Sequence, residues 1–324
     1  MKLSTFRPSS LLLLAAAFAL ATLAAEAQVF KKCDPNPLPL QLGGFDNSPR
    51  TIDFKCDNGG CPKTRANVIQ NKVKNNFCAP TDRIVPVTDE TFAALQAAVE
   101  GVPGIIPRTP PESRAALKDI ITLDGGTKLG EGDVVVYVAY VISANHSNVD
   151  KKKPLTTGSG ESVQCNLLGC AFNDIHVELN TVQGSTKKCN NVTAEIIPHY
   201  RPPAWERFDS LSYRSHLARH PVRMKGQLFF DGSHIACKNG QSQGDLPRLS
   251  VWEIHPVYAI DVCTNKNIAD CRVDDESVWF PFSELQSRLG LASVSRLKKC
   301  VANTTTPVSK CAVPNRSRGG RGGR

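Results

Sequence analysis

Five stretches in the middle of the chain are rich in strand-forming residues, and no periodic helix separates them. They cover residues 134–142, 173–180, 192–197, 221–230 and 249–262. The first is a run of β-branched and aromatic side chains, Val134-Val-Val-Tyr-Val-Ala-Tyr-Val-Ile142, and the others mix apolar and polar positions. Side chains in a strand alternate between faces. That alternation sends Ile175, Val177, Leu179, Val222, Met224, Leu228, Phe230, Trp252 and Ile254 to one face. Asp174, His176, Glu178, Arg223, Lys225, Gln227, Asp231, Glu253 and His255 fall on the other. Gly226, in the middle of a strand pattern, marks a place where a barrel strand bends. The pattern predicts a mainly β (α+β) chain built on a small five-stranded OB-like barrel. A β-sandwich is the alternative, because strand order is not visible in a sequence.

Two helices are predicted ahead of the barrel. One runs from Arg65 to Phe77, with Ala66, Ile69, Val73 and Phe77 at helical spacing. The second starts at Thr88-Asp89-Glu90, carries Phe92, Leu95 and Val99, and stops at Gly101 and Pro103. Pro107, Pro110 and Pro111 form a connector, residues 143–168 a long polar loop, and Pro198 to Trp205 a proline- and aromatic-rich excursion. Beyond Cys263 come an aromatic piece, Trp279 to Phe282, and a helix-like stretch from Glu284 to Leu291.

The ends of the chain place this architecture in a compartment. Lys2 and Arg7 precede an apolar run from Leu11 to Ala25, followed by the small-x-small site Ala25-Glu26-Ala27, so residues 1–27 read as a signal peptide. The roughly 300 residues that follow contain no run long enough for a membrane span. All 12 cysteines lie there, and no Cys-x-x-Cys occurs, which favours disulfides over a zinc ribbon or a thioredoxin-like site. Cys33, Cys56, Cys61 and Cys78 form a natural N-terminal group. The expected organisation is a partly helical, cysteine-rich extension over 28–125 and the barrel over 130–265. A disulfide-containing extension over 266–315 and a disordered Arg/Gly tail over 316–324 complete it. The net charge of +9 is concentrated in part in that tail, at Arg316, Arg318, Arg321 and Arg324. Each tail arginine can neutralise one phosphate of a nucleic acid or other acidic polymer. The expected localisation is secreted or periplasmic.

Three motifs carry a resemblance: Asp174-Ile-His-Val-Glu-Leu179, Pro221-Val-Arg-Met-Lys-Gly-Gln-Leu-Phe-Phe-Asp-Gly-Ser-His234 and Trp252-Glu-Ile-His-Pro-Val257. With Lys72-Val-Lys-Asn-Asn-Phe-Cys78, they resemble a group of secreted bacterial proteins without an assigned activity. The resemblance covers most of residues 60–265 and implies an OB-like barrel and a secreted context. It supplies no catalytic residue.

The polar face holds the chemistry. OB-like barrels commonly bind ligands on an outer face, which makes Asp174, His176, Glu178, Arg223, Lys225, Asp231, His234, Glu253 and His255 the candidate ligand-binding set. The leading expectation is a binding protein for a polar or anionic ligand such as nucleic acid or another polyanion. An alternative is a metal-dependent phosphodiesterase or nuclease, with His176, His234 and His255 holding a divalent ion such as zinc and Glu178 or Glu253 as the catalytic base. A further alternative is a structural envelope protein, in which the helix bearing Arg65, Asn71, Asn75 and Asn76 packs over the face and completes a buried polar network. His-Glu-x-x-His, Gly-x-Ser-x-Gly and phosphate-loop signatures are missing, and the deaminase partner Pro-Cys-x-x-Cys is not present. His146, His199, His216 and His220 read as surface loop residues.

Overall fold

The alternating segments close on themselves in the computed structural model, which describes residues 50–80, 82–150, 153–157 and 159–290. The signal-peptide, Cys33, Cys300, Cys311 and Arg/Gly-tail expectations lie outside those residues. In chain order the elements are α1 (Arg65–Lys74), β1 (Ile84–Pro86), α2 (Asp89–Glu100), β2 (Ile121–Thr122), β3 (Lys128–Leu129), β4 (Val134–His146), β5 (Val149–Asp150) and β6 (Lys153–Thr157). They continue with β7 (Ile175–Asn180), β8 (Val192–Ile196), α3 (Leu211–Leu217), β9 (Val222–Phe230), β10 (Trp252–Cys263), β11 (Trp279–Pro281) and α4 (Leu285–Arg288).

Pairing runs β4–β7–β8–β10–β9 and back to β4, a closed five-stranded barrel of OB-like order. Every pair is antiparallel except β8 with β10. The short β1 adds to β4 and β11 to the far half of β10. Ile175, Val177, Leu179, Val222, Met224, Leu228, Phe230, Trp252 and Ile254 are all buried, as the alternation requires. Each large side chain of this kind contributes roughly 1.5–3 kcal/mol by leaving water. Gly226 sits where the β9–β10 register shifts, opposite Val257. A Cβ there would lie 2.4 Å from the Pro256 carbonyl oxygen, so the barrel closes only around a glycine.

Both N-terminal helices form. Thr88 caps α2, which buries Phe92, Leu95 and Val99 and ends at Gly101. Thr64 caps α1, but that helix stops at Lys74 rather than Phe77. The amide of Asn75 donates to the carbonyls of Asn58 and Val163, and the Tyr258 hydroxyl donates to the carbonyl of Asn76. Tertiary partners therefore pull the last turn open. The expected polar loop over 143–168 is shorter than predicted, because β4 runs to His146 and β5 and β6 pair beyond it. Helix α3, capped by Ser210, fills a stretch given no element by sequence. Tyr200 and Trp205 of the aromatic excursion, with Phe208 just beyond it, are buried against the barrel.

Disulfides join Cys56 to Cys165, Cys189 to Cys237 and Cys263 to Cys271. Cys61, Cys78 and Cys170 are also disulfide-bonded. The N-terminal cysteine group is thus not self-contained. Cys56 reaches 109 residues ahead and pins the segment before α1 to the loop before β7. By chain entropy a link of that span stabilises by on the order of 4–5 kcal/mol. Among the described residues no helix is long and apolar enough to cross a membrane.

Because the glycine is a packing requirement, Gly226→Ala should lower stability by about 1–3 kcal/mol. Urea denaturation should show an earlier midpoint at unchanged slope. An unshifted midpoint would contradict the close-approach argument.

Candidate functional site

Strand pairing builds a polar row across the outside of the barrel. His176 on β7 pairs with Glu195 on β8, and the parallel β8–β10 pairing of Thr193 with Glu253 and Ala194 with Ile254 carries His255 alongside Glu195. Three adjacent strands therefore present His176, Glu195 and His255 side by side. The His255 Nδ1 to Glu195 Oε2 distance is 3.0 Å, and His176 Nε2 lies 3.4 Å from Glu195 Oε1. Asp174 precedes β7 at one end of the row, and Glu253, two residues before His255, lies beside it with Oε2 3.6 Å from His255 Nδ1.

Helix α1 roofs this row. Lys74, in its last turn, brings Nζ to 3.8 Å from Glu195 Oε2. One turn earlier, Gln70 donates to Ser233 Oγ at 2.7 Å and to Asp231 Oδ1 at 3.5 Å. The loop held by Cys165 closes the other side. Gln164 donates to Asp174 Oδ1 at 2.8 Å, and Glu161 Oε2 accepts from the Asp174 backbone N–H at 2.8 Å. A second tier extends from Glu253 through Arg248 to Asp231 and His234, whose Nδ1 pairs with Asp231 Oδ2. Asp174, Glu253 and His255 are fully buried and Glu195 nearly so, whereas the His176 side chain is 35% exposed. The cluster meets water at His176.

Electrostatics follow from this crowding. Burial raises the Asp174 carboxyl, and the nearby Glu161 and Glu195 push it further, to about 7. Burial opposes ionisation of Glu195 too, but His176, Lys74 and His255 outweigh it and hold that carboxyl well below its usual range. Burial lowers the imidazoles, yet Glu195 with Glu253 brings His255 up to about 9, and Glu195 with Glu161 brings His176 up to about 10. Lys74 is raised against the effect of burial by Glu195, Asp231, Glu253 and Asp174.

The arrangement does not satisfy itself. Among the described residues, Asp174 Oδ2, Glu195 Oε2, Glu253 Oε2 and both ring nitrogens of His255 are buried without a hydrogen-bond partner. His255 Nδ1 and Glu195 Oε2 are close enough to attract as charges but are not aligned as a hydrogen bond. Each orphaned buried group costs roughly 1–3 kcal/mol, more when charged. Asp174, Glu195 and His255 offer ligand atoms all within 4.8 Å of one another. Two carboxylate oxygens and one imidazole nitrogen make a donor set for zinc or manganese, and three protein ligands leave positions for water or an anion. Ser147 Oγ, Glu161 and Glu195 all approach the same nitrogen of His176, at 3.1, 3.6 and 3.4 Å. A Ser-His-acid relay needs the acid on the opposite ring nitrogen, so these residues do not form one.

Of the residues singled out by sequence, Asp174, His176, Glu253 and His255 come together, and Asp231 and His234 join through Arg248. Glu178 lies on the same face but pairs with Thr193 and accepts from Asn191 at 3.2 Å, outside the group. Arg223 and Lys225 belong to a separate ion-pair cluster with Asp261, at 2.8 and 3.3 Å, and Arg223 also meets Glu276. Asn76 of the roof donates to Gln227, while Asn71 and Asn75 serve backbone carbonyls. Sequence reasoning missed Lys74, Glu161, Gln164, Glu195 and Arg248. Glu195 had a signal, since Thr193 and Glu195 alternate with Val192, Ala194 and Ile196. Lys74 had a weaker one, four residues after Gln70, while Glu161 and Arg248 lie in loops where no period exists. Two histidines expected at the surface are buried. His146 ends β4 with Nδ1 2.7 Å from Asp209, and His199 pairs with Asp53 at 2.6 Å.

Comparison of the chain with protein-family models, with curated proteins and with solved structures finds no match. The resemblance to secreted bacterial proteins therefore rests on its motifs alone.

The raised imidazoles set a pH dependence. Their pKa values lie above the ordinary value of roughly 6.5, so the stability they contribute is complete below it and is lost as pH rises through about 9 to 10. Chelator-treated protein should lose thermal stability between about pH 7 and pH 10, and His255→Ala should flatten that decline. Superimposable profiles for the two proteins would refute the charge assignment of His255.

Proposed function

We propose that this chain is a secreted, disulfide-stabilised OB-like protein that holds one divalent cation through Asp174, Glu195 and His255. In this reading the ion binds an anionic ligand at the mouth beside His176. The observation that carries it is that Asp174, Glu195 and His255 bring ligand atoms within 4.8 Å of one another while each keeps a buried atom without a hydrogen bond among the described residues. A network serving only the fold loses stability by leaving such atoms unpaired, and a cation satisfies them together. Binding the ion would also displace the protons that their surroundings hold on Asp174 and His255, because metal ligands must be deprotonated. His176 at the exposed edge and Lys74 in the roof are cations at neutral pH, which favours an anion over a neutral ligand.

Hydrolysis of a phosphodiester is the second reading, supported by the placement of His176 between Glu161 and Glu195 at the edge of the same group. As a cation at neutral pH His176 could give a proton to a leaving group, and an ion held by Asp174, Glu195 and His255 would supply activation of water. Glu253, sealed under α1 and held by Arg248, is poorly placed for that role.

Chelator-stripped protein should bind one zinc or manganese ion per chain in a calorimetric titration. Asp174→Asn and His255→Ala should each weaken binding by more than the roughly 10–100-fold that follows loss of an outer-shell partner. Failure of the wild-type protein to bind either ion would end the proposal. With the ion bound, cleavage of bis(p-nitrophenyl) phosphate that falls by roughly 10²–10⁴-fold in His176→Gln would establish the hydrolytic reading. Ion binding without cleavage would leave the binding function alone.

A further inference from the structure

A second site lies on the far side of Asp231 from the cation group. A cavity of about 320 Å³ opens between the last turns of α2, the 105–108 segment, the end of β9 and the loop over 232–238. Its walls include Val99, Ile105, Phe230 and Val251, and His234 stands among them as a polar side chain. The volume is at the small end of the roughly 300–1,000 Å³ typical of ligand sites, which combine apolar walls with few polar anchors.

The cavity is a built feature. Arg108 ties the 105–108 segment across to the facing loop, with Nε 3.2 Å from Asp245 Oδ2 and a second nitrogen donating to the Gln243 carbonyl at 2.7 Å. Asp245 in turn accepts from the Ile235 backbone N–H at 2.9 Å. The Cys189–Cys237 disulfide holds the loop from behind. Ile106 and Leu246, next to these ties, are more than half exposed, so apolar surface continues outward from the cavity.

His234 is oriented. Its Nδ1 is committed to Asp231, which is buried and also accepts from the Ser233 backbone N–H at 3.0 Å. The other ring nitrogen is left as the group a ligand would meet. The hydrogen bond that Nδ1 donates to the buried Asp231 carboxylate raises the imidazole above its ordinary value and favours the protonated ring, whose second N–H can meet a ligand. Lys238 adds positive charge to the lining and Arg108 is paired with Asp245, while the carboxylate of Glu100 already accepts from Gln96.

We infer that this cavity binds a small monocarboxylate with an apolar body, its carboxylate on His234 and its hydrocarbon part against Val99, Ile105 and Phe230. One imidazole donor in apolar walls suits a single negative charge, because a dianion loses more hydration than one donor restores.

Octanoate and phenylacetate, titrated into the full chain by calorimetry, should bind, with octanol and phenylethanol as uncharged counterparts. His234→Gln should weaken the carboxylates at least tenfold while leaving the alcohols unchanged. Ile105→Trp, at a half-buried wall position, should abolish binding of both classes in protein whose circular dichroism and melting point match the wild type. Absence of carboxylate binding by the wild type, equal affinity for acids and alcohols, or unchanged binding in folded Ile105→Trp would each overturn the assignment.

Discussion

The outer face of the barrel depends on charge compensation beneath α1. Asp174, Glu195 and Glu253 are taken almost wholly out of water, and an uncompensated buried charge costs several kcal/mol even after relaxation. Lys74, Arg248 and the two raised histidines supply the counter-charge. The roof cannot be detached from the wall it covers, because Lys74 and Gln70 reach down one turn apart into Glu195 and Asp231. The Cys56–Cys165 disulfide serves the same end by covalent means, holding the segment before α1 against the loop that supplies Glu161 and Gln164.

That compensation is incomplete in a specific way. Charges balance approximately, whereas hydrogen bonds do not: Asp174, Glu195 and His255 keep buried atoms without a hydrogen bond among the described residues, and their ligand atoms lie within 4.8 Å of one another. Packing a lysine over a face of acids would be enough for a structural network, and fewer buried polar groups would serve it better. The excess of donors and acceptors at one point is what favours an ion there. The second tier, from Glu253 through Arg248 to Asp231, then links this face to the oriented His234 of the apolar cavity, so one buried carboxylate borders both sites.

Much of the fold was legible because strands announce themselves by a period of two. All nine residues assigned to the barrel interior are buried, and Gly226 marks the bend for a reason visible only in three dimensions, the approach of the Pro256 carbonyl. The site was legible where it shares that period: Asp174, His176, Glu253 and His255 converge as alternation requires. Glu195 obeyed the same rule and was overlooked because its strand is short and flanked by ordinary loop residues. Lys74, Glu161 and Arg248 enter through tertiary packing of a helix end and two loops, which no local pattern encodes. His146 and His199 show the converse error. Loop-like surroundings suggested exposure, but Asp209 and Asp53 give each imidazole a buried partner.

Anomalous diffraction from crystals grown with zinc, recorded on both sides of the zinc absorption edge, tests the central claim most directly. The account predicts a strong peak about 2.0–2.2 Å from one oxygen each of Asp174 and Glu195 and from a ring nitrogen of His255. Full hydrogen bonding of those same atoms by water or rotated neighbours, with no anomalous peak between them, would contradict it.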